Sequence, residues 1–387
     1  MDMNVSNVTF EATESVVEDW SCGGTLLYLA TTYANYYHPY CVIIVCAVGV
    51  VLNTLNIIVL TRKDMATAPI NRLLTALAWA DMLLMIEYMP SACYYHIESK
   101  VKEYPYWGAV YILFHIHYTQ IFHTISICLT LSLAIWRFLA IRYMEKNHVL
   151  CSHQRCTATI TTCFTLPFFL CAPYYPTLKI NTAIVLENNV NYSLYHVVLS
   201  DLVNEDKTLL TINFWYLAIV MKLLPCLILI VISIWLIRTL FRAKKRRGIL
   251  KGYDNKLLIS CSKDNVRTSK VERRADRTTK MLIAVLFLFL LTELPQGLFA
   301  LVIGLRGKEL FLTCYQHYGE VMDILALLNG CINFVLYCCM NRMFRVTFGV
   351  LFKSKIFNKW STSTISDTQS ARRPPHQHND CLKGLYF

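Results

Sequence analysis

Charge is what this sequence has little of. Only 16% of its 387 residues are Asp, Glu, Lys or Arg, against about 25% in an average soluble protein. That excludes an ordinary soluble domain and a disordered chain, both of which need more charge. The first 40 residues contain no lysine or arginine at all. The first 20 lack both a basic start and an apolar core, so the first hydrophobic block is expected to act as the signal anchor. No C-x-x-C stands beside a histidine or second cysteine at zinc spacing. No nucleophile–base motif or phosphate loop is present, so no enzyme is expected. No internal repeat is visible, which argues against a transporter built from duplicated halves.

What the chain has in abundance is apolar. Hydrophobic residues make up 55% of it, in long blocks. Seven blocks reach the ~20 residues needed to cross a bilayer: 39–61, 73–95, 106–136, 156–175, 209–237, 281–305 and 312–340. They are too long and too uniformly apolar for membrane strands. Backbone groups in lipid must be satisfied within the segment, which demands helices. Pro167 and Pro173 make the fourth block the one most prone to end early. The expected fold is all-α, a seven-transmembrane-helix bundle with a short amphipathic helix after span seven. The chain divides into an extracellular tail (1–37), a transmembrane domain (38–340), an amphipathic juxtamembrane helix (341–352) and a disordered cytoplasmic tail (353–387).

Orientation follows from the basic residues. The loop 238–280 holds 15 Lys and Arg, and the tail from Asn341 holds 8 more. The N-terminus is therefore expected outside, in the plasma membrane. Three glycosylation sequons, at Asn4, Asn7 and Asn191, fall on expected outer segments. Most of the 16 cysteines lie in spans or on the cytoplasmic side as small buried hydrophobes; only Cys22, Cys93 and Cys314 would meet oxidising surroundings. The basic run 242–247 suits anionic lipid better than nucleic acid, and no nucleic-acid partner is expected.

Ionisable residues inside spans are costly and are functional candidates by default. Asp81, Glu87, Lys222, Glu293, Glu320 and Asp323 are such residues. Asp81 lies at the depth of Asn53, Ser126, Asn329 and Asn333. That level can be a structural hydrogen-bond network or an oxygen site for a small hard cation. Glu87, Glu293, Glu320 and Asp323 lie further out, four carboxylates against one Lys222. An electronegative cavity of that kind suits a cationic ligand. Pro225 and Pro295 inside spans five and six allow kinks.

These residues sit in a pattern that resembles rhodopsin-like G-protein-coupled receptors over roughly 38–352. It is carried by Asn53 in Leu52-Asn53-Thr54-Leu55-Asn56, Asp81 in Leu77-Ala78-Trp79-Ala80-Asp81, Arg137 in Trp136-Arg137-Phe138, Pro225 in Leu223-Leu224-Pro225, Pro295 in Thr292-Glu293-Leu294-Pro295, and Asn333-Phe334-Val335-Leu336-Tyr337. The strings around His123-Thr124-Ile125-Ser126, Gln296-Gly297 and Cys338-Cys339-Met340 are similar to invertebrate myosuppressin and FMRFamide-like peptide receptors, relatives of the sex-peptide and myoinhibitory-peptide receptors. The resemblance implies an amidated peptide ligand contacting Glu87, Gln120, His123, Lys222, Glu293, Gln296, Glu320 and Asp323. It implies a heterotrimeric G protein, of the inhibitory class, coupled through Arg137, Asn333, Tyr337, Pro225 and Pro295. It also implies an allosteric sodium ion at Asp81, Ser126, Asn329 and Asn333, with no other cofactor. A C-terminal Arg-Phe-amide offers a guanidinium and no carboxylate, which suits an acidic cavity.

The remaining partners implied are membrane lipid, through Phe344, Phe348, Leu351 and Phe352 of the amphipathic helix, and receptor kinases and arrestin, through Ser361 to Ser366. Four departures stand out. Trp136 replaces the usual acid before the arginine, Glu293 replaces a tryptophan two residues before Pro295, and Phe334 replaces a proline. The top of span three and the loop 174–208 lack the usual bridging cysteines, leaving a Cys22–Cys314 link as a substitute. Two other readings of the architecture fare worse. A light sensor would need a lysine in span seven, and none lies between Leu312 and Met340; a channel or transporter does not account for the six motifs. A receptor for a Trp-amide peptide and a scavenger that does not signal remain as alternatives.

Overall fold

The computed structural model of the chain describes residues 24–94, 104–143, 146–187, 190–205, 207–257, 287–305, 316–340 and 342–352. Among them are seven helices long and apolar enough to cross a membrane: Gly24–Leu60, Pro69–Ala92, Tyr106–Arg142, His153–Thr177, Thr211–Thr239, Phe287–Leu305 and Tyr318–Val335. They are called spans one to seven below. All seven match hydrophobic blocks of the sequence. Span one is already helical at Gly24, well before the expected start at residue 39. Spans one and three have 37 residues each, about 55 Å of helix at 1.5 Å per residue. That exceeds the ~30 Å hydrocarbon thickness, so both project beyond it.

Local signals set the helix ends. Pro69 opens span two after an extended Ala68, as suits a residue without an N–H to lose. Pro105 precedes span three with extended ψ. The Ser152 hydroxyl accepts the Arg155 N–H at 3.4 Å and caps span four, satisfying one of the orphan donors of the first turn. Span four keeps α geometry to Leu170, past Pro167, then tightens to a 3-10 turn over Ala172–Thr177, around Pro173 and Pro176. Two stretches widen into π-helix, Tyr33–Tyr37 in span one and Leu217–Leu223 in span five.

Span two is central: 61% of its most apolar window is buried inside the bundle, against 22% for span four. One apolar cluster joins spans one to four around Leu60, Leu73, Ile125, Leu129 and Trp136. A second joins spans three, five and six through Ile127, Leu229, Leu236 and Phe289. Gly49 lets spans one, two and seven meet: a methyl group there would stand 2.6 Å from Cys331 Sγ and closer still to the Met85 sulfur.

Between spans four and five the chain forms a β-hairpin. Strand β1, Leu178–Glu187, pairs antiparallel with β2, Val190–Leu199, in a register running from Leu178 opposite Leu199 to Glu187 opposite Val190. The sequence carries a signal for it, Asn188-Asn189 between runs rich in β-branched residues. Hydropathy alone reads 174–208 as a plain loop, because strands outside the membrane are short and only half apolar. Asn191 falls in β2; Asn4, Asn7, Cys22 and Cys314 lie outside the described residues, as do Ser361 to Ser366.

The hairpin is fastened to span three without a disulfide. Tyr104 and Tyr195 exchange both backbone bonds, Tyr104 N–H to Tyr195 O at 2.9 Å and Tyr195 N–H to Tyr104 O at 2.7 Å. Tyr104 is buried and stacks on Tyr94 with ring centres 5.4 Å apart, while Tyr106 meets Tyr195 edge-on at 5.3 Å. At the other end of the bundle the carboxyl-terminal helix, Arg342–Phe352, follows span seven. Its Phe344 was expected in lipid and is fully buried instead. Phe334 explains why: its ring meets Phe344 and Phe348 edge-on, both at 5.8 Å. The residue standing in place of a proline therefore docks this helix. Phe348 and Leu351 also pack partly against the cluster, leaving Phe352, Met343 and Val350 exposed.

Candidate functional site

Two polar sets lie inside the bundle at different depths. The one nearer the hairpin end is centred on Lys222, which is 3% exposed. Its position in the π-segment of span five, just before Pro225, widens the turn there. The ammonium donates to Glu293 Oε2 at 2.7 Å, Gln296 Oε1 at 2.7 Å and His123 Nε2 at 2.8 Å. Three donors thus meet three acceptors on spans three and six. His123 Nε2 also lies 3.1 Å from Glu293, but a ring nitrogen that accepts from Lys222 has no hydrogen left to donate. The charge of Glu293 is therefore met by Lys222. Gln120 shares the face of His123 on span three. Gly297 makes the approach of spans five and six possible: a methyl group there would sit 3.0 Å from Lys222 Cβ and 3.0 Å from Leu223 Cδ2.

Further toward the hairpin end the carboxylates are answered by histidines that charge counting missed. His115 Nδ1 lies 2.8 Å from Glu87 Oε2, joining spans two and three. His38 Nε2 lies 2.8 Å from Glu320 Oε2, joining spans one and seven. The picture of four carboxylates against one lysine is corrected accordingly. Three of the four have a nitrogen partner, because an imidazole N–H serves a carboxylate without appearing in a formal charge sum. Asp323 is different. It accepts the Tyr88 hydroxyl at 3.2 Å and, among the described residues, forms no ion pair.

Nearer the carboxyl-terminal helix, Asp81 accepts from Ser126 Oγ at 2.8 Å and from Asn333 Nδ2 at 3.3 Å. Asn329 lines the same space. Asn53, expected at this level, instead donates to Gly49 O at 3.0 Å and Gly330 O at 3.3 Å, tying span one to span seven. A cavity of about 20 Å³ lies between the two sets, lined by Asp81, Ser126, Asn329, Asn333, His123 and Glu293 among others. That is room for one water-sized species. One carboxylate, one hydroxyl and two amide side chains around such a space fit a small hard cation.

Arg137 is half-buried near the end of span three. Trp136 beside it is 7% exposed and belongs to the apolar cluster of spans one to four. The departure from an acid thus adds packing at this turn of span three. Pro225 lies two residues past the π-segment, and Pro295 lies between Glu293 and Gln296 in span six. The side chain of Tyr337 lies outside the described residues.

A seven-helix membrane bundle with a buried polar interior and a basic arginine turn at one end of span three is the architecture of a G-protein-coupled receptor, a signalling protein and not an enzyme. The model of the serpentine type 7TM GPCR chemoreceptor family Srw matches residues 40–355, and the chain belongs to that family. Among curated proteins it is 28% identical to the G-protein coupled receptor dmsr-1 of Caenorhabditis elegans, over 82% of this chain and 69% of that one. It is 29% identical to the sex peptide receptor of Drosophila melanogaster, over 86% and 76%. It is 25% identical to the Drosophila FMRFamide receptor, over 80% and 52%.

Proposed function

We propose that this receptor binds a C-terminally amidated neuropeptide of the FMRFamide-like or myosuppressin-like type at its hairpin end, which faces the cell exterior. Occupancy promotes nucleotide exchange on a heterotrimeric G protein of the inhibitory class at the opposite end. The relatives named for sex peptide and FMRFamide support the peptide class. The observation that carries the choice within that class is Asp323. Of the four carboxylates toward the hairpin end, it is the one whose donor among the described residues is a neutral hydroxyl, so it can take a bidentate guanidinium without displacing a resident cation. Glu293, by contrast, already holds Lys222. The arginine contact therefore shifts from the candidates as a group toward Asp323, with Glu87, Gln120, His123, Gln296 and Glu320 around it.

Activation is a population shift: the peptide must bind the signalling arrangement better than the resting one. In this reading Arg137, Asn333 and Tyr337 rearrange as span six swings about Pro295 and span five adjusts at Pro225. A sodium ion held by Asp81, Ser126, Asn329 and Asn333 would neutralise Asp81 and favour the resting state. Membrane lipid meets the exposed face of the carboxyl-terminal helix, and kinases and arrestin act on the tail. The second reading is a myoinhibitory-type peptide ending in Trp-amide, for which arginine would not be decisive. The two readings separate on one substitution in the ligand, arginine to citrulline.

The test is a panel of amidated peptides applied to cells displaying the receptor, read as G-protein recruitment. At least one Arg-Phe-amide peptide is expected to recruit, and Arg137→Ala is expected to abolish recruitment with surface display intact. Full recruitment by that variant would refute the coupling assignment, and silence to every peptide would refute the ligand class.

A further inference from the structure

We infer that Lys222 and Glu293, with Gln296 and His123, form an ionic latch that holds spans three, five and six in the resting arrangement. The inference rests on the receptor reading for its signalling consequence but not on the identity of the peptide. Four observations meet here. First, the pair is buried on both sides, 3% and 1% exposed, and bonds at 2.7 Å. It cannot open without leaving two charges in apolar surroundings or admitting water. Second, it sits at the two weakest points of its helices. Lys222 is three residues before Pro225, and Glu293 and Gln296 flank Pro295. A proline removes a backbone bond and clashes with the preceding turn, so bending concentrates there.

Third, Lys222 belongs to a π-helical segment, Leu217–Leu223. Such a segment carries one residue more than the α-helix needs. Its reversion to α geometry would turn Lys222 about the helix axis by roughly 100°, out of reach of span six. Span five thus has a way to withdraw the lysine without unfolding. Fourth, the cavity of about 20 Å³ beside His123 and Glu293 can deliver a water to the separated carboxylate. Glu293 is then a positioning residue acting through span six.

Ligand-free nucleotide exchange, normalised to receptor number at the surface, tests this in the full chain. Glu293→Gln and Lys222→Met are each expected to raise it at least about fivefold, the lower bound of ordinary coupling energies. The exchanged pair, Lys222→Glu with Glu293→Lys, is expected to return it toward the wild-type rate. Wild-type exchange in both single variants with the separation of spans five and six also unchanged, or an exchanged pair no better than either, would overturn the latch. Should the single variants fail to reach the surface, Gly297→Ala keeps every charge while pressing span six off Lys222, and the same rise is expected; no rise would overturn it. A fluorophore pair at Arg238 and Phe287, both exposed, reads the separation of spans five and six with no G protein present. Widening in Glu293→Gln without nucleotide exchange would leave the latch standing and reject the coupling reading. An unchanged separation would reject the latch.

Discussion

The Lys222 set and the Asp81 set share one bundle and open on one cavity, yet their charge is met in opposite ways. Glu293 has the Lys222 nitrogen 2.7 Å away, supplied by the chain itself. Asp81 has a hydroxyl at 2.8 Å and an amide at 3.3 Å, and among the described residues no basic side chain pairs with it. A pair that neutralises itself needs nothing from solution and works as a mechanical joint. A carboxylate given only neutral donors keeps its charge available to something mobile. Asp323, which among the described residues accepts from the Tyr88 hydroxyl and forms no ion pair, repeats the second pattern at the hairpin end, where the proposed ligand is a guanidinium rather than a metal ion.

Three measurements would break or sharpen that contrast. The largest effect is expected on stability from removing one member of the buried pair. Glu293→Gln or Lys222→Met should cost about 3–5 kcal/mol, because the remaining charge is stranded. Asp81→Asn should cost about 1 kcal/mol, since only hydrogen bonds are altered. Thermal unfolding of the purified receptors measures both, and equal losses would erase the distinction. Next comes ligand affinity. Asp323→Asn should weaken an Arg-Phe-amide peptide roughly 10- to 100-fold, the range of a lost charged hydrogen bond, and leave its citrulline analogue nearly unchanged. Equal loss for both peptides would remove Asp323 from arginine recognition. The smallest effect concerns sodium. Replacing it with a bulky organic cation should change peptide affinity by about fivefold in the wild type and not at all in Asp81→Asn; a response that survives the substitution would place the ion elsewhere.

The helical spans were legible because twenty apolar residues in a row have few other uses. The buried titratable residues were legible for the same reason, since each stands out against lipid-compatible neighbours. Their partners were not. His38 and His115 carry no formal charge, so counting charges passed over them, and only the folded helices bring them to Glu320 and Glu87. The π-segment around Lys222 has no hydropathy signature, because it shifts phase by one residue without altering composition. Phe344 was assigned to lipid on an amphipathic pattern that fixes which residues are apolar and not which apolar neighbour they meet. Trp136 and Phe334 were noted as departures from a motif, and packing gives them a reason. The Tyr104–Tyr195 clasp replaces a covalent tether with backbone bonds that no cysteine count could reveal.

The central claim is that the hairpin end receives an amidated peptide and the opposite end drives a G protein. Its most direct test is nucleotide exchange on a purified heterotrimer by the full-length receptor in lipid nanodiscs, comparing an Arg-Phe-amide peptide with the same peptide ending in a free carboxylate. Exchange is expected with the amide at a potency at least about tenfold greater than the acid, equivalent to about 1.4 kcal/mol of repulsion avoided. Equal potency of the two forms, or no exchange at saturating amide, would contradict it.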